Sequence, residues 1–156
     1  MKLVSKAPAL GGILNPFKDL VKDSRKITFI GTPGFCLPFA ELLSYVIARE
    51  KKDIAFVPNL DYEKAKKIVF TPYGMQLSED CVDPKADTVV VLGGLAMPNI
   101  GVNADDMKKL IDRITDGKGR KIGVCFMRIF ERSGWLEKID FDYVINSNIE
   151  NELWEK

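Results

Sequence analysis

Two glycine-rich stretches of the chain could bind a ligand through backbone groups. Residues 31–36 (Gly-Thr-Pro-Gly-Phe-Cys) and residues 93–98 (Gly-Gly-Leu-Ala-Met-Pro) each follow an apolar, β-branched run. Glycine permits a close approach that a Cβ would block. The first stretch leads into a predicted helix, whose free N–H groups and positive dipole end favour an anion. The competing interpretation is that these glycines only make tight turns.

The sequence therefore predicts a small anionic ligand held between these two stretches. Its anion would contact backbone amides near Thr32, Gly34 and Gly94, while Phe35 and Met97 would supply apolar walls. Neither stretch contains a Walker A or GxGxxG motif, so no cofactor is identified. The predicted ligand-binding residues are Gly31, Thr32, Gly34, Phe35, Cys36, Asn59, Gly93, Gly94, Met97 and Arg128.

Two of these residues, Arg128 and Asn59, each have an alternative role. Arg128 could reach across the strand ends to an anion, or it could form a surface ion pair with Glu131. Asn59 follows a predicted strand, and it could either hydrogen-bond a ligand or cap the next turn. The residue types alone do not separate these roles.

Cys125 is the candidate catalytic nucleophile. Residues 123–127 (Gly-Val-Cys-Phe-Met) end a predicted strand, where a strand-to-helix turn can form a nucleophile elbow. The order of a Gly-Gly loop, a helix and Gly-Val-Cys resembles class I glutamine amidotransferases over a short part of the chain. However, Phe126 stands where that family has glycine, and the chain has no histidine to activate the thiol. The alternatives are a thiol enzyme with a carboxylate as its base and a structural cysteine.

The composition excludes several classes of protein. The 156 residues include 23 basic and 22 acidic ones, so the net charge of +1 gives no reason to expect a nucleic-acid partner. The absence of histidine removes His-dependent triads and zinc-binding HExxH helices. Three cysteines without CxxC spacing argue against a disulfide framework and against a metal site. No apolar run approaches the roughly 20 residues that span a bilayer, so we expect a cytoplasmic protein with reduced thiols.

Apolar runs and helical spacings predict alternating strands and helices. The predicted strands are residues 26–30, 54–57, 88–92, 121–126 and 141–145. The predicted helices are one capped by Asn15 with Pro16 in its first position, residues 37–49, one that begins near Asp61 and buries Ala65, Ile68 and Val69, one from Asn103 to Gly117, and residues 150–156. The end of the helix from Asp61 is left open, because residues 69–71 could instead form a short strand before Pro72. The run 88–92 is almost wholly apolar and ends at glycine, as expected of a strand buried on both faces.

This alternation is typical of right-handed βαβ units. The predicted fold is α/β, a three-layer α/β/α sandwich with a mostly parallel, flavodoxin- or Rossmann-like sheet of about five strands. We expect one domain over residues 1–156, in which residues 1–24 form an arm and a short helix. The strand order 2-1-3-4-5 would place the two glycine-rich stretches where the chain changes direction, which is where ligands bind in such sheets.

Several strings of the sequence resemble a small family of archaeal proteins of unknown function, found chiefly in methanogens. These strings are residues 29–43, 56–59, 73–77, 92–98, 123–127, 134–135 and 141–142, which together extend over most of the chain. The resemblance implies an archaeal, cytoplasmic origin and a single Rossmann-like domain. It implies no activity, cofactor or catalytic residue.

A third interpretation is a non-catalytic subunit of a larger complex. Such a subunit would expose a contiguous apolar patch, which the sequence places in the amino-terminal arm near residues 7–14. A homo-oligomer is also compatible with the sequence, whereas a nucleic-acid or membrane partner is not expected.

Overall fold

The computed structural model describes residues 1–156, and a mixed sheet of seven strands forms its centre. The strands are β1 (Lys26–Gly31), β2 (Asp53–Pro58), β3 (Lys66–Thr71), β4 (Gly74–Cys81), β5 (Thr88–Leu92), β6 (Arg120–Phe126) and β7 (Tyr143–Ser147). Their order is β4-β3-β2-β1-β5-β6-β7. Strands β2, β1, β5, β6 and β7 are parallel, and β3 and β4 are antiparallel to their neighbours. The predicted α/β class with a mostly parallel sheet is confirmed, but the count of about five strands is wrong.

The two additional strands form a hairpin where the sequence predicts a helix. After a short 3₁₀ turn at Tyr62–Lys64, the chain enters β3 and returns through β4, with Phe70 opposite Met75. The predicted helix from Asp61 is wrong because its apolar residues do not share one face. Ala65 is buried on one side of the sheet and Ile68 on the other, which no helical stripe could achieve.

Five helices and three 3₁₀ turns connect the strands. The helices are α1 (Gly11–Leu20), α2 (Leu37–Tyr45), α3 (Ala104–Thr115), α4 (Ile129–Arg132) and α5 (Trp135–Lys138), and the 3₁₀ turns are Ala48–Glu50, Tyr62–Lys64 and Gly93–Ala96. None of the helices combines the length and the apolar character needed to cross a membrane. Helix α2 ends four residues before the predicted position, and the chain continues as the first 3₁₀ turn.

Helix α1 begins earlier than the sequence predicts. Its first residue is Gly11, so the predicted cap at Asn15 is wrong and Pro16 lies inside the helix. Ile13 and Phe17 lie one turn apart and are both buried, and this burial stabilises the helix despite the N–H that proline lacks. Residues 1–10 are exposed.

Helix α3 is close to its prediction, whereas the predicted terminal helix is absent. The Asn103 side chain accepts a hydrogen bond of 2.7 Å from the backbone N–H of Asp105, which caps α3 as predicted. Residues 148–156 have no regular structure. Leu153 in that segment is 98% exposed, so no packing compensates for the cost of nucleating a short helix there.

The core consists of two hydrophobic clusters, one on each face of the sheet. Successive residues of β1 alternate between them, with Phe29 in the cluster beneath α1 and α2 and Ile30 in the cluster beneath α3. All five residues of β5 are buried. The prediction of a strand covered on both faces is therefore confirmed for residues 88–92.

Candidate functional site

The carboxyl ends of three adjacent strands bring the two glycine-rich stretches together. The five parallel strands lie in the order β2-β1-β5-β6-β7, which is the arrangement that the proposed meeting of the two stretches requires. Residues 32–36 after β1 therefore lie beside residues 93–98 after β5. A Cβ built on Gly94 would lie 2.5 Å from Cys36 Sγ and 3.3 Å from the Phe35 ring. These two loops, together with Phe126, Met127 and Arg128 at the end of β6, are called the rim below.

Most of the predicted glycines serve packing at the rim. A Cβ on Gly31 would lie 2.5 Å from Cys36 Cβ, and a Cβ on Gly93 would lie 2.5 Å from Cys125 Cβ. These contacts show that the space a side chain would need is already occupied by the chain itself. Gly34 is the exception, because nothing lies within 4 Å of its Cβ position.

The crevice between the loops is narrow and apolar. It has a volume of about 20 Å³ and is lined by Phe35, Cys36, Phe39, Leu92, Gly93, Gly94, Val124 and Phe126. Such a volume holds about one water molecule. The Phe39 and Phe126 rings, 4.9 Å apart between centroids, both line it, and the sequence analysis predicted neither of them as a ligand-binding residue. The crevice is therefore too small for anything larger than water, and the side chain of Phe35 beside it is 62% exposed.

The start of α2 contributes unpaired hydrogen-bond donors to the rim. The N–H groups of Gly34, Phe35 and Leu37 donate no hydrogen bond within the chain. Cys36 precedes the helix without a side-chain cap, and the first turn contains no acidic residue. The buried Thr32 hydroxyl is directed to Cys36 Sγ at 3.3 Å and does not replace that cap. The amide groups at this helix end thus remain available to an anion.

Cys125 is buried in surroundings that keep its thiol protonated. Burial raises its pKa from 9.0 to about 11, and hydrogen bonds from the backbone of Phe130 and Ile129 offset only part of this rise. The Cys125 Sγ atom lies 3.5 Å from the side-chain oxygen of Asn146, which is an amide and cannot act as a base. The geometry therefore favours the structural interpretation of Cys125 over the thiol enzyme.

A strained turn after β6 presents Arg128 on the rim. Met127 and Arg128 have φ values of +52° and +54°, the left-handed region that costs energy for residues with a Cβ. The turn is held by the Asn146 side chain, which accepts the Arg128 N–H at 2.7 Å, and by the Met127 N–H, which donates to the Ser147 carbonyl at 2.8 Å. No sequence pattern indicates this turn, because its partners lie on β7.

The remaining predicted residues lie near the rim in different roles. Arg128 is exposed, and its guanidinium lies 3.8 Å from the Glu131 carboxylate, an ion pair that water screens strongly. Asn59 adopts a φ of +55° directly after β2 and donates its N–H to the Gly31 carbonyl at 2.9 Å, which extends the pairing of β2 with β1. Met97 is half-buried beside these loops.

A second and larger depression, of about 580 Å³, lies at the opposite end of the sheet. Several of the polar groups there form hydrogen bonds within the chain. Both Arg25 and Lys26 donate their N–H groups to the Asp87 carboxylate, at 2.9 and 3.0 Å. Asp142 accepts the Lys121 N–H at 2.7 Å, and Arg120 donates to a carbonyl at the end of α1. These bonds stabilise the starts of the strands.

The fold and the rim define an α/β protein with a mixed, mostly parallel sheet and an apolar crevice at the carboxyl ends of its strands. The chain belongs to the family described as "Uncharacterized protein conserved in archaea (DUF2124)", whose model matches residues 8–150. The resemblance to an archaeal family with members in methanogens is thereby confirmed.

Two relatives and one solved structure resemble the chain over nearly its whole length. An uncharacterised protein of Methanothermobacter thermautotrophicus is 44% identical over 138 residues, which cover 88% of each chain. Uncharacterised protein MJ1183 of Methanocaldococcus jannaschii is 41% identical over 156 residues, covering 99% of this chain and 94% of its own. A crystal structure of a protein of unknown function from M. thermautotrophicus aligns with a TM-score of 0.93 at 38% identity, covering 100% of this chain and 99% of that one.

Proposed function

We propose that the protein is a binding module that holds a small anionic ligand on the rim, at the carboxyl ends of β1 and β5. The observation that carries this proposal is the uncapped start of α2. Gly34, Phe35 and Leu37 offer N–H groups without acceptors, and no acidic side chain in the first turn competes for them. An anion there gains hydrogen bonds and the favourable end of the helix dipole.

The apolar surface beside these N–H groups suggests the rest of the ligand. Phe35 is 62% exposed and Met127 is 50% exposed, which is costly for side chains of this size. The crevice beneath them holds about one water, so the ligand would lie across these side chains rather than under them. Arg128 supplies a cation on the same rim. The favoured ligand is thus an anion with an apolar portion.

A substitution at Gly34 tests the electrostatic part of the proposal. The Cβ position of Gly34 is open, so both Gly34→Asp and Gly34→Asn fit without displacing a neighbour. The aspartate places a negative charge beside the free N–H groups and should abolish anion binding, whereas the isosteric, neutral asparagine should retain most of it.

Thermal unfolding with nucleotides, inorganic phosphate and coenzymes of methanogenesis provides the measurement. A probe at 100 times its Kd stabilises the folded state by about 2.7 kcal/mol, which raises the melting temperature of the wild type and of Gly34→Asn but not of Gly34→Asp. The proposal fails if no probe stabilises the wild type, or if both variants respond equally.

A further inference from the structure

We propose that residues 148–156, called the C-terminal segment below, close over the rim as a strap, with Leu153 and Trp154 covering Phe35 and Met127. The segment starts at the rim. Ser147, the residue before it, pairs with Phe126 in the sheet register. These contacts place the segment beside the crevice.

A second contact ties the segment to the strained turn after β6. The Ile149 N–H points to the Met127 sulfur at 3.5 Å. Met127 is itself fixed by its hydrogen bond to the Ser147 carbonyl, 2.8 Å long. The first residues of the segment are therefore anchored on the rim, while the residues beyond Ile149 make no such contact.

The segment and the rim both expose large apolar side chains. Leu153 is 98% exposed and Trp154 is 84% exposed in the open arrangement. The rim opposite them exposes Phe35 at 62% and Met127 at 50%. Bringing the two exposed surfaces together removes both from water.

The length of the segment is sufficient for this contact. Trp154 lies five residue steps beyond Ile149, which corresponds to a reach of about 17 Å at full extension. Strands β7 and β1 are separated by β6 and β5, which corresponds to about 14 Å at a spacing of about 4.8 Å per strand. Trp154 can therefore reach Phe35, and the covalent link gives it a high effective concentration there.

The charges of the two surfaces are complementary. The segment carries Glu150, Glu152 and Glu155 against the single cation Lys156. The loops 32–36 and 93–98 carry no acidic or basic side chain, and the exposed Arg128 is the cation nearest the anchor. In the open arrangement Trp154 donates only to the neighbouring Glu152, at 3.1 Å.

The strap does not depend on the proposed ligand, because its closure requires only residues of this chain. It would nevertheless share the surface of Phe35 with a ligand on the rim. Closure of the strap and binding of the ligand would then compete, and the C-terminal segment would regulate access to the rim.

Fluorescence of Trp154 tests the strap in the full chain without any ligand. The chain has two tryptophans, and the other, Trp135, is buried. Subtracting the spectrum of the Trp154→Phe variant isolates Trp154 without altering the core. We expect emission at shorter wavelength and several-fold weaker quenching by acrylamide than for the free peptide 148–156.

Matched substitutions identify the surface that Trp154 covers. Phe35→Ala should restore strong quenching, whereas Phe70→Ala, at a comparably exposed phenylalanine (67%) on β3 far from the rim, should not. Leu153→Ser removes an apolar side chain of the C-terminal segment and should also increase the quenching of Trp154. Because Leu153 is 98% exposed, this substitution does not affect folding. The proposal is overturned if acrylamide quenches Trp154 in the wild type as strongly as in the free peptide. It is also overturned if Phe35→Ala and Phe70→Ala change the quenching equally. Protection of Trp154 that grows with protein concentration would assign the contact to a second copy and would overturn it as well.

Discussion

Individual side chains, rather than backbone alone, decide the shape of the rim. Cys36 and Cys125 fill the positions that a Cβ on Gly94 or Gly93 would occupy, each at 2.5 Å. The two cysteines are therefore packing residues of the loops, and both are buried free thiols. The groups left to a ligand are backbone N–H donors and the exposed ring of Phe35.

The raised pKa of Cys125 predicts how this thiol reacts. Because burial raises that pKa to about 11, the reactive thiolate forms only at a pH well above the value of about 8.5 for a free thiol. Labelling with iodoacetamide, followed by mass spectrometry across pH, should show slow modification of Cys125 with a midpoint well above about 8.5, and the exposed Cys81 serves as the internal control for the amount of reagent. A midpoint below about 8.5 would instead indicate an activated nucleophile.

At the scale of elements, the β3–β4 hairpin extends the sheet and leaves β4 as its outer strand. An outer strand presents unpaired backbone groups that promote association. In this protein the Glu41 side chain on α2 accepts the Leu77 N–H at 3.0 Å and occupies one of these groups. Glu79 adds a charged side chain to β4, and it pairs with Lys66 on β3 at 2.8 Å.

Glu41→Ala should weaken the attachment of the hairpin to α2. Loss of one hydrogen bond to a carboxylate should lower the free energy of unfolding by about 1 kcal/mol, measured by urea titration. Glu41→Gln keeps an acceptor oxygen at the same position and should lower the free energy of unfolding by less than Glu41→Ala does. Equal decreases in the two variants would show that the hydrogen bond from the Leu77 N–H to Glu41 does not stabilise the fold.

At the scale of the whole molecule, the two ends of the sheet differ in chemistry. The carboxyl ends of the strands form the apolar rim, with an anionic ligand proposed at its free N–H groups. The amino ends are joined by a polar network around Asp87, which bonds the N–H groups of Arg25 and Lys26 and the hydroxyl of Thr88. The Asp87 carbonyl also accepts the Arg120 N–H at 2.8 Å. This network links the starts of β1, β5 and β6.

Asp87→Ala should destabilise the whole fold while leaving the rim intact. Removing the carboxylate leaves two backbone N–H groups without their partner, a loss of about 1–2 kcal/mol at a site that water can reach. We expect a lower urea midpoint with an unchanged slope of the unfolding transition. Asp87→Asn retains one acceptor oxygen, so its urea midpoint should lie between those of Asp87→Ala and the wild type. A midpoint equal to that of the wild type would contradict this role for Asp87.

The elements with strong local signals were predictable from the sequence. The apolar run of β5 and the cap of α3 by Asn103 each depend on residues close together in the chain, and both appear in the structure. Of the hairpin, the sequence indicated only the alternative short strand at residues 69–71, which lies within β3. Residues 65–69 contain apolar spacings that fit a helix, and only their burial on opposite faces of the sheet identifies a strand.

Sequence alone established the archaeal family, the α/β class and a mostly parallel sheet, because these follow from residue patterns and chain order. The strand order that brings residues 31–36 beside residues 93–98 is a property of the tertiary structure. Tertiary structure alone decided how much space lies between those loops. The crevice shrinks to about 20 Å³ because Phe39 and Phe126 enter it from other elements. Such contacts join residues far apart in the chain, and no local pattern encodes the distance between them.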